Sequence, residues 1–145
     1  MNRTWVVVAE SSRARIFSTT GPRAGLDEIE GLAQPEARLK ESDLVSDSHG
    51  RSFDSGGTGR HAMGREVDQK HHEAMSFART ICEHLERDRT RGNYEKLILI
   101  APPAFLGLLR KSMHQSCADR VVATINKNLV QHDAAQIRDH LPDWF

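Results

Sequence analysis

The sequence predicts a mixed α/β sheet, antiparallel over its first three strands, parallel afterwards and flanked by helices. Three observations carry this. Leu97-Ile-Leu-Ile100 is an unbroken aliphatic run, the pattern of a strand buried on both faces as in a parallel sheet. Trp5-Val-Val-Val-Ala9 is a second such run, followed at once by turn residues and an alternating segment, as in a hairpin. Between them lies an apolar stripe at three- and four-residue steps, which reads as a crossover helix.

Taken in order, Trp5 to Ala9 is a central strand, Glu10-Ser-Ser-Arg13 a turn, and Ala14-Arg-Ile-Phe-Ser18 its hairpin partner. Gly21-Pro22 and Gly25 punctuate before Leu26 to Leu32, a more polar edge strand. From about 40 to 66 the composition turns to Ser, Asp, Gly, Arg and His and reads as a long flexible loop, most flexible at Gly56-Gly-Thr-Gly-Arg60. A helix then carries Val67, His71, Ala74, Ala78, Ile81, Cys82 and Leu85 on one face, and Gly92-Asn93 ends it. After the strand at Leu97, Pro102 and Pro103 stop the chain. Phe105 to Lys111 then forms a short helix, with a further helical turn near Met113 to Ser116. Val121 to Ile125 is a last strand and Ala134 to Leu141 a last helix. This is the element order of the ribonuclease H-like fold, whose later strands join by right-handed crossovers.

A chain of 145 residues fits one domain with a real core. Its 20 basic residues balance 20 acidic ones, so any nucleic-acid contact needs a local patch rather than a global field. The apolar runs Trp5 to Ala9 and Leu97 to Phe105 are too short to span a bilayer. The start leads directly into a strand with no signal-peptide pattern, and Cys82 and Cys117 lack metal or redox spacing. The expectation is a cytoplasmic protein with two free thiols, no cofactor and no membrane contact.

Catalysis finds little support. A two-metal nuclease needs converging carboxylates, and Glu10, at the end of the first strand, is the one candidate there. The strand at Leu97 offers none, and Glu95 precedes it at the wrong end. Glu66, Asp68 and Glu73 read as solvated helix acids. His71 and His72 are adjacent, so they diverge by about 100° on a helix; His71 reads as a core imidazole, and His49 or His61 completes no known ligand pattern. The glycine-rich stretch lacks the Lys and the Ser or Thr of a phosphate loop. Ser11 and Ser12 lack a nucleophile elbow, and both thiols read as inert.

Arginines, by contrast, gather in the connecting segments: Arg13 and Arg15 at the first turn, Arg51, Arg60 and Arg65 in the long loop, and Arg110 with Lys111 after the prolines. Guanidinium groups match phosphate oxygens with bidentate geometry, and Phe53 supplies a stacking ring. Asp43, Asp47, Asp54 and Glu66 partly neutralise that loop. Trp144 and Phe145 either pack back onto the domain or form a partner seam.

These segments together resemble the family of host attachment proteins, described as required for attachment to host cells. The resemblance rests on Trp5-Val-Val-Val-Ala-Glu-Ser-Ser-Arg-Ala-Arg-Ile-Phe17, Ser46-Asp-Ser-His-Gly-Arg-Ser-Phe-Asp-Ser55, Phe77-Ala-Arg79, and Leu97 to Arg110 with its Ala-Pro-Pro and Leu-Gly pattern. That family is similar to the ribonuclease H-like central domain of release factors and Pelota, which implies a ribosome-associated or translation-linked role. The chain has Glu10-Ser11 where the family usually has Asp-Gly, and Asp47-Ser-His-Gly-Arg51 where it has Asp-Arg-Pro-Gly-Arg. Lys127-Asn-Leu129 replaces Lys-Asp-Leu. The Gly-Gly-Gln loop of release factors is missing, so peptide release by that chemistry is not expected.

The reading is a binding module without catalysis that affects attachment indirectly, through RNA, a ribosome or a protein partner. Arg13, Arg51, Arg60 and Arg65 are the expected phosphate contacts, and Asp47 and Gly50 organise the loop. The alternatives are a metal-dependent nuclease centred on Glu10 and a purely structural interaction module.

Overall fold

Side chains of the first strand alternate between two apolar layers, and this fixes the architecture. The structure, a computed structural model, describes residues 2–35 and 59–145, with side chains in the long helix described from residue 64. Strand β1 (Thr4–Ala9) directs Trp5, Val7 and Ala9 to one layer and Val6 and Val8 to the other. Strand β4 (Lys96–Ile100) does the same with Leu97 and Leu99 against Ile98 and Ile100. Both runs are unbroken because both of their faces are covered.

Strands β2 (Arg13–Thr19) and β3 (Asp27–Ala33) continue antiparallel from β1, while β4 and β5 (Val121–Ile125) run parallel to it. The sheet order is β3-β2-β1-β4-β5, the mixed arrangement expected from the sequence. Helix α1 (Gly59–Thr90) and helix α2 (Pro103–Ser112) cover one face, joined by the short α3 (Gln115–Ala118) through Cys117. Leu129, Val130 and Ile137 of α4 (Ala134–Asp139) cover the other. Asp133 and Gln136 form a reciprocal capping box at the start of α4.

Two expectations about α1 are corrected. The helix starts at Gly59, not after residue 66, because residues 60–66 offer Arg, Ala, Met and Glu, which propagate a helix despite Gly64. His71 is exposed rather than a core imidazole, and Val67 is 66% exposed. The reason is length. A 32-residue helix extends for about 48 Å, whereas strands of five to seven residues reach only about 16–24 Å. Full burial of the apolar stripe therefore begins at Phe77 and Ala78 and continues through Ile81, Cys82 and Leu85.

Each edge strand contains one irregularity. In β3, Glu30 lies opposite Ile16 and Glu28 opposite Phe17, so Ile29 is the bulged residue, and it is 47% exposed. In β5, Val121 faces Leu97 and Ala123 faces Ile98, so Val122 is skipped. At the chain's end Phe145 packs on the second layer while Trp144 stays exposed, dividing a pair that the sequence treats together.

Candidate functional site

Parallel strands β1, β4 and β5 finish at the same end of the sheet, the usual ligand position in open α/β folds. The β1–β2 turn lies there. Glu10 N–H donates to the Arg13 carbonyl at 2.9 Å, and the Glu10 carboxylate accepts from Ser12 N–H at 3.1 Å and from the Ser12 hydroxyl. Among the described residues only Gly92 has a positive φ, so a side-chain acceptor rather than a left-handed residue holds this turn. Ser12 also accepts from Gln34 N–H at 3.0 Å, tying the end of β3 to the turn.

Arg13 is exposed at the tip of this assembly. It lines a shallow recess of about 400 Å³ with Arg15, Glu28 and the backbone around Gly31. Arg15, grouped with Arg13 in the sequence, does something else. Its Nε and Nη2 bond Glu28 at 3.1 and 2.8 Å, and its Nη1 donates to the carbonyls of Val130 and His132 at 2.9 and 2.6 Å. The guanidinium also lies 5.0 Å from the Phe17 ring centroid. Arg15 is thus a pin between β2, β3 and the segment leading to α4, with its donors engaged. In return, the Arg15 hydrogen bonds hold the Glu28 carboxyl below its ordinary range despite some burial.

Helix α1 runs from the carboxyl end of the sheet back towards the start of β4, so its first turns and the exposed Arg65 belong to the same end of the molecule as Arg13. Arg60 lies in the first turn of α1, its side chain outside the described residues; Asp47, Gly50 and Arg51 lie outside them altogether. Arg110 reaches across to the Thr124 hydroxyl at 2.9 Å. A groove of about 470 Å³ opens there, lined by Pro103, Leu106, Arg110, Thr124, Ile125 and Asn126. After β4 the chain offers Ala101-Pro102-Pro103. Among the described residues, no group of three or more His, Cys, Asp or Glu is placed to hold a metal ion.

Two polar clusters that the sequence reading missed lie elsewhere. His84 Nε2 sits 2.8 Å from Glu30 and 3.1 Å from Asp88, linking α1 to β3 beside Trp5. The signal was the i,i+4 spacing of His84 and Asp88; Glu30 was not foreseeable without the register of β3. In the second cluster, Glu86 accepts from Arg89 at 2.6 Å, from Ser116 at 3.2 Å and from the Cys117 thiol at 3.3 Å. Arg89 chiefly, then Cys117 and Ser116, hold its carboxyl at about 2 against some desolvation. Tyr94 donates to the Leu85 carbonyl at 2.7 Å and lies 3.2 Å from Cys117. Burial pushes the Cys82 thiol up to about 12, and burial also raises Cys117. Both thiols are free and buried.

Among the described residues no helix is long and apolar enough to cross a membrane. The chain is 38% identical over 68 residues to an uncharacterized protein, RP470, of Rickettsia prowazekii (strain Madrid E). That match covers 46% of this chain and 43% of the relative, so it spans less than half of either. A crystal structure of an archaeal translation termination factor, aRF1, aligns over 98% of this chain and 36% of its own, at 12% identity and a TM-score of 0.49. The family model described as "protein required for attachment to host cells" matches residues 5–141, nearly the whole sheet and its helices, and the chain belongs to that family.

Proposed function

We propose that this chain is a non-catalytic cytoplasmic binding module that acts on attachment indirectly, by contacting RNA or the ribosome with the end of the domain where its parallel strands finish. The observation that supports this most is the β1–β2 turn. Glu10, the carboxylate a nuclease would aim at metal, is turned onto Ser12, and the turn it shapes leaves Arg13 exposed. Arg65 stands exposed at the same end, and the position after β4 is Ala-Pro-Pro. A cationic tip on a hydrogen-bonded turn suits phosphate contact, which needs charge and reach rather than a pocket. Arg51 and Arg60 are expected to extend the contact.

The test is fluorescence anisotropy of a labelled single-stranded RNA against wild type and Arg13→Ala/Arg65→Ala over a salt series. Loss of two phosphate contacts lowers the slope of log affinity against log salt by about 1.4. An unchanged affinity and slope would contradict the proposal.

A further inference from the structure

The two edges of the sheet are defended unequally. Strand β3 carries Asp27, Glu28 and Glu30 and a bulge at Ile29, devices that discourage a further strand from pairing. Strand β5 reads Val-Val-Ala-Thr-Ile, with no charge and no proline, and its bulge lies at the far end, before Ala123. At the other end the Ile125 carbonyl accepts from Ala101 N–H at 3.1 Å and therefore faces β4. Backbone groups alternate along a strand, so the N–H and C=O of Thr124 point away from β4, to the side where no strand among the described residues pairs with β5.

That open stretch borders the groove between α2 and β5. Leu106, Ile125 and Pro103 give it an apolar lining, with Arg110 and Asn126 polar beside them. Cations flank the strand: Arg120 precedes it, Lys127 follows it, and Arg110 crosses to Thr124, all three exposed. Asp119, the adjacent acid, is engaged by Gln115 at 2.7 Å.

From the unguarded edge, the groove and the flanking cations, we infer that β5 is a docking edge for an extended acidic segment of a partner protein. The incoming strand pairs with Thr124, places an apolar side chain in the groove beside Leu106, and sets its carboxylates against Arg110, Arg120 and Lys127. Recognition of this kind takes affinity from main-chain hydrogen bonds and specificity from alternate side chains. A second copy adding antiparallel about Thr124 would place Arg120 opposite Asn128 and beside Lys127 at each end, so like charges crowd that pairing. This surface lies at the β5 edge of the sheet, three strands across from the β2 strand that carries Arg13, and its test does not depend on RNA contact.

The probes are two fluorescein-labelled peptides, acetyl-Glu-Val-Asp-Leu-Glu-Val-amide and acetyl-Lys-Val-Lys-Leu-Lys-Val-amide, titrated with the full chain and read by anisotropy. The acidic peptide should bind about tenfold or more tightly than the basic one. Thr124→Pro removes an outward N–H without touching the β4 ladder, as edge strands tolerate, and should weaken the acidic peptide about tenfold or more. Thr124→Val, which loses only the hydroxyl, should stay within about threefold. Hydrogen exchange on the wild type provides a readout that needs no variant: the Thr124 amide should exchange fast alone and slowly with saturating acidic peptide. Equal binding of both peptides, no binding of the acidic one, or a Thr124 amide indifferent to it would overturn the inference. A Thr124 amide already protected, in step with concentration-dependent light scattering, would overturn it in favour of a second copy.

Discussion

Glu28 and Glu30 stand two residues apart in one strand and face opposite sides of the sheet. In a regular strand they would share a face. The bulge at Ile29 inverts the alternation, so Glu30 meets His84 on the α1 side and Glu28 meets Arg15 on the α4 side. One inserted residue thus lets a polar edge strand tie down both layers.

The first prediction concerns that inversion. Ile29→Ser changes an exposed bulge residue and should alter stability by no more than about 0.5 kcal/mol. Deleting Ile29 makes Glu28 and Glu30 adjacent, opposite Phe17 and Ile16 in a regular ladder, so both carboxylates keep their faces and partners and the cost should stay within about 1 kcal/mol. Urea melts of both proteins check this; a deletion costing several kcal/mol more than the substitution would show that Glu28 and Glu30 do not keep their partners in a regular ladder.

Neighbouring arginines should part company on truncation. Arg15→Ala loses its bonds to the Val130 and His132 carbonyls as well as to Glu28, and should destabilise by about 2–4 kcal/mol. Arg13→Ala should stay within about 0.5 kcal/mol. The comparison is the shift in urea midpoint at constant slope.

Acid sensitivity follows from Glu86. Its folded pKa is about 2 against an ordinary 4.5, so the folded state holds fewer protons than the unfolded state between those values. The contribution is complete above about pH 4.5 and is lost as pH falls towards about 2. Glu86→Gln should therefore flatten the acid limb of stability against pH. Glu28 has its pKa lowered in the same direction and leaves part of that limb in place. Urea midpoints across the acid range measure the difference, and an unchanged limb would contradict this reading of the Arg89–Glu86 pair.

Neither thiol should react while the protein is folded. Cys82 is held at about 12 and buried, and Cys117 is raised and buried. A disulfide reagent at about pH 8 should release no chromophore from the native chain and react with both cysteines in guanidinium. Prompt labelling of the native protein would show that α3 opens readily.

Much of the fold was legible because burial on both faces leaves unbroken aliphatic runs, as at Val6 to Val8 and Leu97 to Ile100. The edge strands were legible in extent but not in register, since Glu28-Ile29-Glu30 reads as ordinary alternation and the bulge at Ile29 leaves no sequence mark. The same blindness hid the roles of Arg15 and His84, whose partners come from the sheet register or from loops more than a hundred residues away. His71 misled because a helical stripe shows which side is apolar, not where the sheet beneath it stops. At the candidate site the sequence identified Glu10 and Arg13 as residues of interest; only the geometry shows that the first shapes the turn presenting the second.

The most direct test of that presentation is co-sedimentation of the full chain with purified bacterial ribosomes at low and high salt, beside Arg13→Ala/Arg65→Ala. Binding at low salt that fades with salt, and is weakened in the double variant despite an unchanged urea midpoint, is the predicted result. Equal recovery of wild type and variant with ribosomes, or recovery of neither at any salt, would contradict the assignment of this end of the sheet to RNA.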